Sequence, residues 1–253
     1  DKGPQAILDA SYNLEFYDIE TDSEVYHKGI FTEPAVTGFT DPKKMTTEVH
    51  DHMNRLFKQG KFPVLLGGEH SVSIGAIEAA AERFDNLTIL QLDAHTDLRD
   101  SYEGSTHNHA CVMARAKEVA PIVQVGIRSM DVCEKLNLDR ERVFFAHDIV
   151  NQPAVDWIEQ VVSLLTDNVY ITIDLDVFDP SIMPATGTPE PGGMTWYEVT
   201  DLMRAVCEAK NVVGFDLVEL CPRETLWGSD FLAAKLLYKI LTYKFCLGTA
   251  NEH

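Results

Sequence analysis

From Lys61 onward the chain alternates short apolar runs with longer stretches in which apolar residues recur every three or four positions. The runs at 63–66, 87–92, 122–126, 143–146, 169–174 and 212–217 are apolar almost throughout, as expected of parallel strands covered on both faces. The intervening stretches predict helices over 45–59, 71–83, 110–119, 153–166, 195–209 and 229–243. Two of these carry start signals: Thr195 precedes Glu198 at the spacing of a capping box, and Ser229 precedes an apolar run. Strand–helix alternation of this regularity predicts an α/β fold, a mostly parallel sheet with helices on both faces. No internal repeat or long linker divides the chain, so one domain over residues 1–253 is expected. Ahead of Lys61, residues 12–20 and 24–31 read as one or two peripheral strands, and 32–43 as a loop rich in glycine, proline and threonine.

Composition narrows the classes. With 253 residues, 45% of them hydrophobic, the chain can bury a sizeable core. Its 24% charged residues and lack of low-complexity segments exclude a largely disordered chain. No apolar run reaches the ~18 residues of a membrane span, and no segment resembles a signal peptide. A net charge of −19 argues against a nucleic-acid partner, because neutralising phosphates takes clustered lysine and arginine. That charge permits a small cationic substrate, although solubility alone would account for it. Five scattered cysteines without a C-x-x-C pair predict reduced thiols in a cytoplasmic protein, not a disulfide framework or a zinc site.

The candidate chemistry gathers where strands are predicted to end. His70 follows the first run and two glycines. Asp93, His95 and Asp97 follow the second, Asp174 and Asp176 close the fifth, and Glu219 follows the sixth. In an open parallel sheet the carboxyl ends of the strands form the ligand crevice, so all four clusters point into one place. In extended chain, residues two and four apart face the same side, which would make Asp93, His95 and Asp97 project together, and likewise Asp174 and Asp176. Five carboxylates and two imidazoles in one cleft repel and resist desolvation unless cations neutralise them. The count suits two divalent ions, with Asp93 and Asp174 bridging and His70 and His95 at opposite ends. Oxygen-rich ligation without thiolate favours a hard ion such as Mn²⁺. Two such ions about 3.5–4 Å apart can activate a water at neutral pH, the chemistry needed to attack an unreactive guanidinium carbon.

The strings Gly67-Gly68-Glu69-His70-Ser71, Asp93-Ala94-His95-Thr96-Asp97, Asp174-Leu175-Asp176-Val177-Phe178-Asp179-Pro180 and Gly187-Thr188-Pro189-Glu190-Pro191-Gly192-Gly193 resemble the signatures of the arginase/agmatinase (ureohydrolase) family. They occur in the family's order from Gly67 to Glu219, with weaker similarity to about Tyr243. The resemblance implies a three-layer α/β/α sandwich and two Mn²⁺ ions. Their ligands would be His70, Asp93, His95, Asp97, Asp174 and Asp176, with Asp93 and Asp174 as the bridges. It implies that His109, in Thr106-His107-Asn108-His109-Ala110, shuttles protons to the leaving amine, and that Glu219 grips the substrate guanidinium. It also implies a homo-oligomer, trimer or hexamer.

Blander readings stand beside these. His107 competes with His109 and otherwise belongs to the loop surface; Glu190 sits in a turn shaped by glycine and proline and is left unassigned. Arg115 and Arg128 read as structural salt-bridge partners. Family members usually carry a strand and loop ahead of a Gly-Pro-x-Ala-Ile stretch, whereas this sequence opens at that stretch, so a first strand is expected to be lacking. Arginases have an Asn/Thr/Ser-rich segment after the second metal motif that binds the amino-acid carboxylate. Here Leu98-Arg99-Asp100-Ser101-Tyr102-Glu103-Gly104-Ser105 stands there, and Asp100 and Glu103 would not welcome a carboxylate, although Arg99 would if it turned inward. The resemblance is therefore to the agmatinase branch, and the expected reaction is agmatine to putrescine and urea, with arginine and guanidinobutyrate as alternatives. A two-metal phosphoesterase would add an asparagine ligand motif and basic groups for phosphate, neither of which accompanies these motifs. A non-catalytic scaffold has no need of six costly ligands.

Overall fold

The computed structural model describes residues 2–151 and 154–247. Its centre is a six-stranded, wholly parallel sheet: β1 (Val64–Leu66), β2 (Leu87–Leu92), β3 (Ile122–Ile127), β4 (Val143–Phe145), β5 (Asn168–Asp174) and β6 (Asn211–Val218), in the order β1-β6-β5-β2-β3-β4. Every residue of β2 and β3 is buried, which is why the alternating pattern of a half-exposed strand is missing from the sequence.

Helices cover both faces. On one, α2 (Pro42–Lys58), α3 (Val72–Arg83) and α4 (Val112–Val119) pack over Leu87, Ile89, Ile122 and Val213. On the other, α1 (Gly3–Ser11), α6 (Ala154–Leu164), α7 (Trp196–Ala209) and α8 (Trp227–Cys246) enclose Leu90, Val123, Ile171 and Phe215. A single turn, α5 (Ala146–Ile149), follows β4. The α2–α3 crossing is so close that a Cβ at Gly75 would lie 2.1 Å from the Thr46 carbonyl oxygen.

The α/β/α sandwich is therefore present, and the strand boundaries fall within a residue or two of those read from the sequence. The segments before Lys61 differ. Instead of strands at 12–20 and 24–31 there is an earlier helix, α1, a short 3-10 turn at Val25–Lys28, and one isolated bridge, Asp18 to Ser23. Among the described residues no neighbouring strand pairs with 12–20. Leu14 turns into the core, while Asp18 is buried against Lys239 of α8, 2.7 Å away. The loop expected at 32–43 ends earlier, because Asp41 caps Lys43 N–H and Pro42 takes the first helical position. Thr195 does close a capping box with Glu198, but Ser229 lies inside α8, whose N-cap is Leu226. The expected start of α6 at Pro153 lies outside the described residues.

Candidate metal centre

β1, β6, β5 and β2 are consecutive in the sheet, so the four loops leaving their carboxyl ends open into one crevice. His70, Asp93, His95, Asp97, Asp174, Asp176 and Glu219 come from those loops.

The ligand-type atoms form two groups that share one carboxylate. His70, Asp93 and Asp97 make the first; Asp93, His95 and Asp176 make the second. The two oxygens of Asp93 face opposite ways, Oδ2 3.2 Å from His70 Nδ1 and Oδ1 3.6 Å from His95 Nδ1. His70 Nδ1 also lies 3.1 Å from Asp97 and 3.5 Å from Asp174, and His95 Nδ1 lies 2.9 Å from Asp176. Asp174 belongs to neither tight group, and its Oδ1 accepts the N–H of Asp176 at 2.8 Å.

The local backbone differs from an extended strand. Beyond Leu92 the chain turns, and Asp97 takes a left-handed conformation (φ 53°) with its carbonyl accepting from Met113 and Ala114. That turn sends His95 and Asp97 to opposite groups. Asp176 is the middle residue of a 3-10 turn, Leu175–Val177, which Asp174 caps by accepting the Asp176 N–H. Glu219 is also left-handed (φ 67°). Conformations like these cost about 1–3 kcal/mol each and persist where surrounding bonds enforce them. Here Glu219 N–H donates to the Gly68 carbonyl, and its Oε1 accepts the His70 N–H at 2.8 Å.

A chain of buried polar groups fixes His70. Tyr170 and Thr172 donate their hydroxyl protons to Asp216, at 2.9 and 2.7 Å. Having spent its proton, Thr172 Oγ1 can only accept from His70 Nε2, 2.9 Å away. Nε2 is thereby the protonated nitrogen, and with a cation at the site the Nδ1 lone pair would face it among three carboxylates. Nδ1 has no hydrogen-bond partner although His70 is fully buried. An orphaned lone pair among carboxylates fits a cation and no neutral group.

Charge tells the same story. Burial opposes a charged His70, yet Asp174, Asp93 and Asp97 hold its pKa well above the usual imidazole value. His95 is pushed up to about 11 by Asp176 and Asp93 against the opposing effect of burial. Burial raises Asp97 to about 7, helped by the Asp93 charge, and raises Asp174 and Asp176 as well. Carboxylates and imidazoles that cling to protons this way hold positive charge between them, and a divalent ion supplies it without protons.

Several supporting residues were not singled out from the sequence. Gln91 donates to Asp93 Oδ2 at 2.7 Å and is itself held by Gln124. Arg128, expected in a salt bridge, instead donates to the carbonyl oxygens of Gly126, Asp176, Val177, Phe178 and Glu190. It staples the turn carrying Asp176 to the loop of Glu190. Arg115 does pair with Glu118, at 2.8 Å. Thr172, Gln91 and Asp216 share one available signal: each is a polar residue inside an otherwise apolar strand run.

At the rim, His109 is half exposed and starts a 3-10 turn capped by Asn108. Its Nδ1 lies 3.8 Å from Glu69, and its ring meets Tyr102 edge-on. His107 is bonded to Thr106 instead. Arg99 does not turn inward: its guanidinium covers the Tyr102 ring at 4.6 Å and lies 3.6 Å from Asp131. A Cβ at Gly187 would stand 3.7 Å from Glu219 Oε2, which brings the 187–193 loop over that carboxylate.

Comparison with known proteins accords with this geometry. Residues 1–242 match the model of the arginase family. The chain is 42% identical to the N(1)-aminopropylagmatine ureohydrolase of Synechocystis sp., covering 95% of this chain and 82% of that protein. It is 33% identical to the agmatinase of Pyrococcus horikoshii, covering 94% and 83%. The crystal structure of agmatine ureohydrolase of Thermoplasma volcanium superposes with a TM-score of 0.86 at 31% identity, covering 96% of this chain and 83% of that one.

Proposed function

Since this chain belongs to the arginase family and is a ureohydrolase acting on amidino carbon–nitrogen bonds, we propose that its substrate is agmatine, cleaved to putrescine and urea with two Mn²⁺ ions as cofactors. The observation that carries the metal half of this reading is the sharing of Asp93 between two ligand groups, with an orphaned His70 Nδ1 in one of them.

In this reading His70, Asp93 and Asp97 hold one ion, Asp93, His95 and Asp176 hold the other, and Asp174 completes the set beside His70. When bound, the ions supply Lewis acidity and make a water acidic enough to attack at neutral pH. Glu219, oriented by the His70 N–H, faces the guanidinium and fixes its plane by charge-assisted hydrogen bonds. Burial raises the pKa of Glu219, so a cationic partner is the favourable occupant of its site. His109, at the rim, gives a proton to the nitrogen that leaves as an amine.

The engagement of Arg99 with Asp131 and Tyr102 favours agmatine over arginine, because that guanidinium is committed elsewhere and not presented to a carboxylate. A second reading, N1-aminopropylagmatine, is favoured by the name of the 42% identical Synechocystis protein. Urea release from agmatine, N1-aminopropylagmatine and arginine, with and without Mn²⁺ and beside Asp93→Ala, tests all of this. Mn²⁺-dependent urea from agmatine, abolished in Asp93→Ala, is the expected result. Faster release from the aminopropyl compound would select the second reading, and comparable turnover of arginine would overturn the branch.

A further inference from the structure

Glu69 belongs to neither ligand group, yet it stands beside His70 with a constrained carboxylate. One oxygen accepts the Ser71 hydroxyl, and the other accepts the Ser71 N–H at 3.2 Å, so the side chain is folded back onto the first turn leading into α3. That second oxygen lies 3.8 Å from His109 Nδ1, and among the described residues no lysine or arginine pairs with Glu69. On its other side the His109 ring meets Tyr102, centroids 5.7 Å apart at 71°. Tyr102 is itself fixed: it pairs with Ser105 across a two-residue hairpin whose central residues, Glu103 and Gly104, both have positive φ, and Arg99 covers its ring. The imidazole therefore sits between an anchored carboxylate and an anchored aromatic edge.

We infer that Glu69 is the positioning residue of His109, holding its ring in the Nδ1–H tautomer so that Nε2 is the atom that gives and takes the proton. The inference rests on the reading of His109 as the proton carrier. A carboxylate accepts only, so a bond closed between Nδ1 and Glu69 requires the hydrogen to be on Nδ1. When imidazolium passes its Nε2 proton to the departing amine nitrogen, the ring returns to neutral with Nδ1–H still facing Glu69, and no ring flip is needed before the next turnover. The 3.8 Å separation is slightly beyond hydrogen-bond reach, the loose geometry usual for such pairs before substrate closes the site.

The test uses Mn²⁺-loaded enzyme and agmatine. Glu69→Gln keeps the size and an acceptor for Ser71 but allows either tautomer opposite it. It is expected to lower kcat about tenfold, a share of what a positioned proton carrier contributes, with KM and metal content unchanged. Glu69→Asp is expected to recover part of that loss. In a His109→Asn background Glu69→Gln should cost nothing more, because the ring it serves is gone. Nitrogen-15 spectra of the histidine rings at alkaline pH should find His109 as Nδ1–H in the native chain and as a mixture in Glu69→Gln. A full-sized Glu69→Gln loss persisting in His109→Asn, a change in KM alone, or an unchanged tautomer would overturn the role of Glu69 while leaving His109 in place. Native kcat in His109→Asn would instead overturn the reading of His109, and this inference with it.

Discussion

Thr172 makes the residue-scale argument sharp, because its one proton bears on the state of the candidate ligand His70, to which it is directly hydrogen-bonded. Donating to Asp216 forces it to accept from His70, and that fixes the face His70 presents to the carboxylates. Thr172→Val keeps the shape and removes both bonds. Supporting partners of metal-ligating histidines are worth about 10–100-fold in metal affinity, so Mn²⁺ binding measured by chelator competition should weaken within that range. Asp216 also loses a donor while fully buried, which adds about 1–3 kcal/mol of instability. An unchanged Mn²⁺ affinity would mean the tautomer is set by something other than this bond. The candidate ligands could be picked out of the sequence because their spacing is tied to strand ends. Thr172, Gln91 and Asp216 could not, since a lone polar residue in an apolar run has many uses and its partner is known only after strands are placed side by side. Asp93 as a bridge with His70 and His95 at opposite ends was already suggested by the count of carboxylates, whereas the placement of Asp97 on the His70 side was hidden: alternation assumes extended backbone, and Asp97 leaves it at φ 53°.

At the scale of elements, parallel strands buried on both faces write themselves plainly, and β2 spans the six residues expected of it. The chain before Lys61 misled, because the alternation of Tyr12, Leu14 and Phe16 resembles a strand while no partner strand lies beside it among the described residues. What holds that segment is ionic: Lys239 lies 2.7 Å from Asp18 and 2.6 Å from Glu20, and Arg204 of α7 also reaches Glu20 at 2.7 Å. Burial works against charge on both carboxyls, but Lys239 and its neighbours keep their pKa values below the usual range. Carboxyls depressed in the fold stabilise it above their unfolded values and lose that contribution as pH falls through the folded ones. Lys239→Met leaves Asp18 buried without its cation and should cost about 3–5 kcal/mol at neutral pH. The gap in Tm between native and variant should close on acidification below about pH 4, where protonated carboxyls need no partner. A gap that stays constant with pH would assign the loss to packing instead. The α2–α3 crossing offers a test without charge: in Gly75→Ala the new Cβ would sit 2.1 Å from backbone, which cannot yield as a side chain would. Overpacking of this kind costs about 1–3 kcal/mol or more, so thermal unfolding should show a Tm several degrees lower with the metal ligands untouched.

Across the whole molecule the negative charge becomes a question about rate. A formal charge of −19 admits two accounts, solubility or attraction of a cation, and on composition alone solubility suffices. The structure adds that the crevice at the strand ends gathers Glu219 and four aspartates with His70 and His95, so some of the acidic residues lie at the proposed site and the rest over the surface. In the proposed reading, bound ions would neutralise part of the cluster and the remaining field would draw in a doubly cationic guanidine from a distance set by screening, about 8 Å at physiological salt. Steering acts on encounter and not on the bound complex. If it operates here, kcat/KM for agmatine should fall severalfold between 20 and 500 mM salt while kcat holds, roughly as expected when long-range attraction is screened. Arginine, whose carboxylate cancels its ammonium, should show a weaker slope if it turns over at all. Equal salt dependence for a singly and a doubly charged substrate would leave solubility as the sufficient account of the charge, and would place substrate selection in the contacts around Glu219 and the 98–105 loop alone.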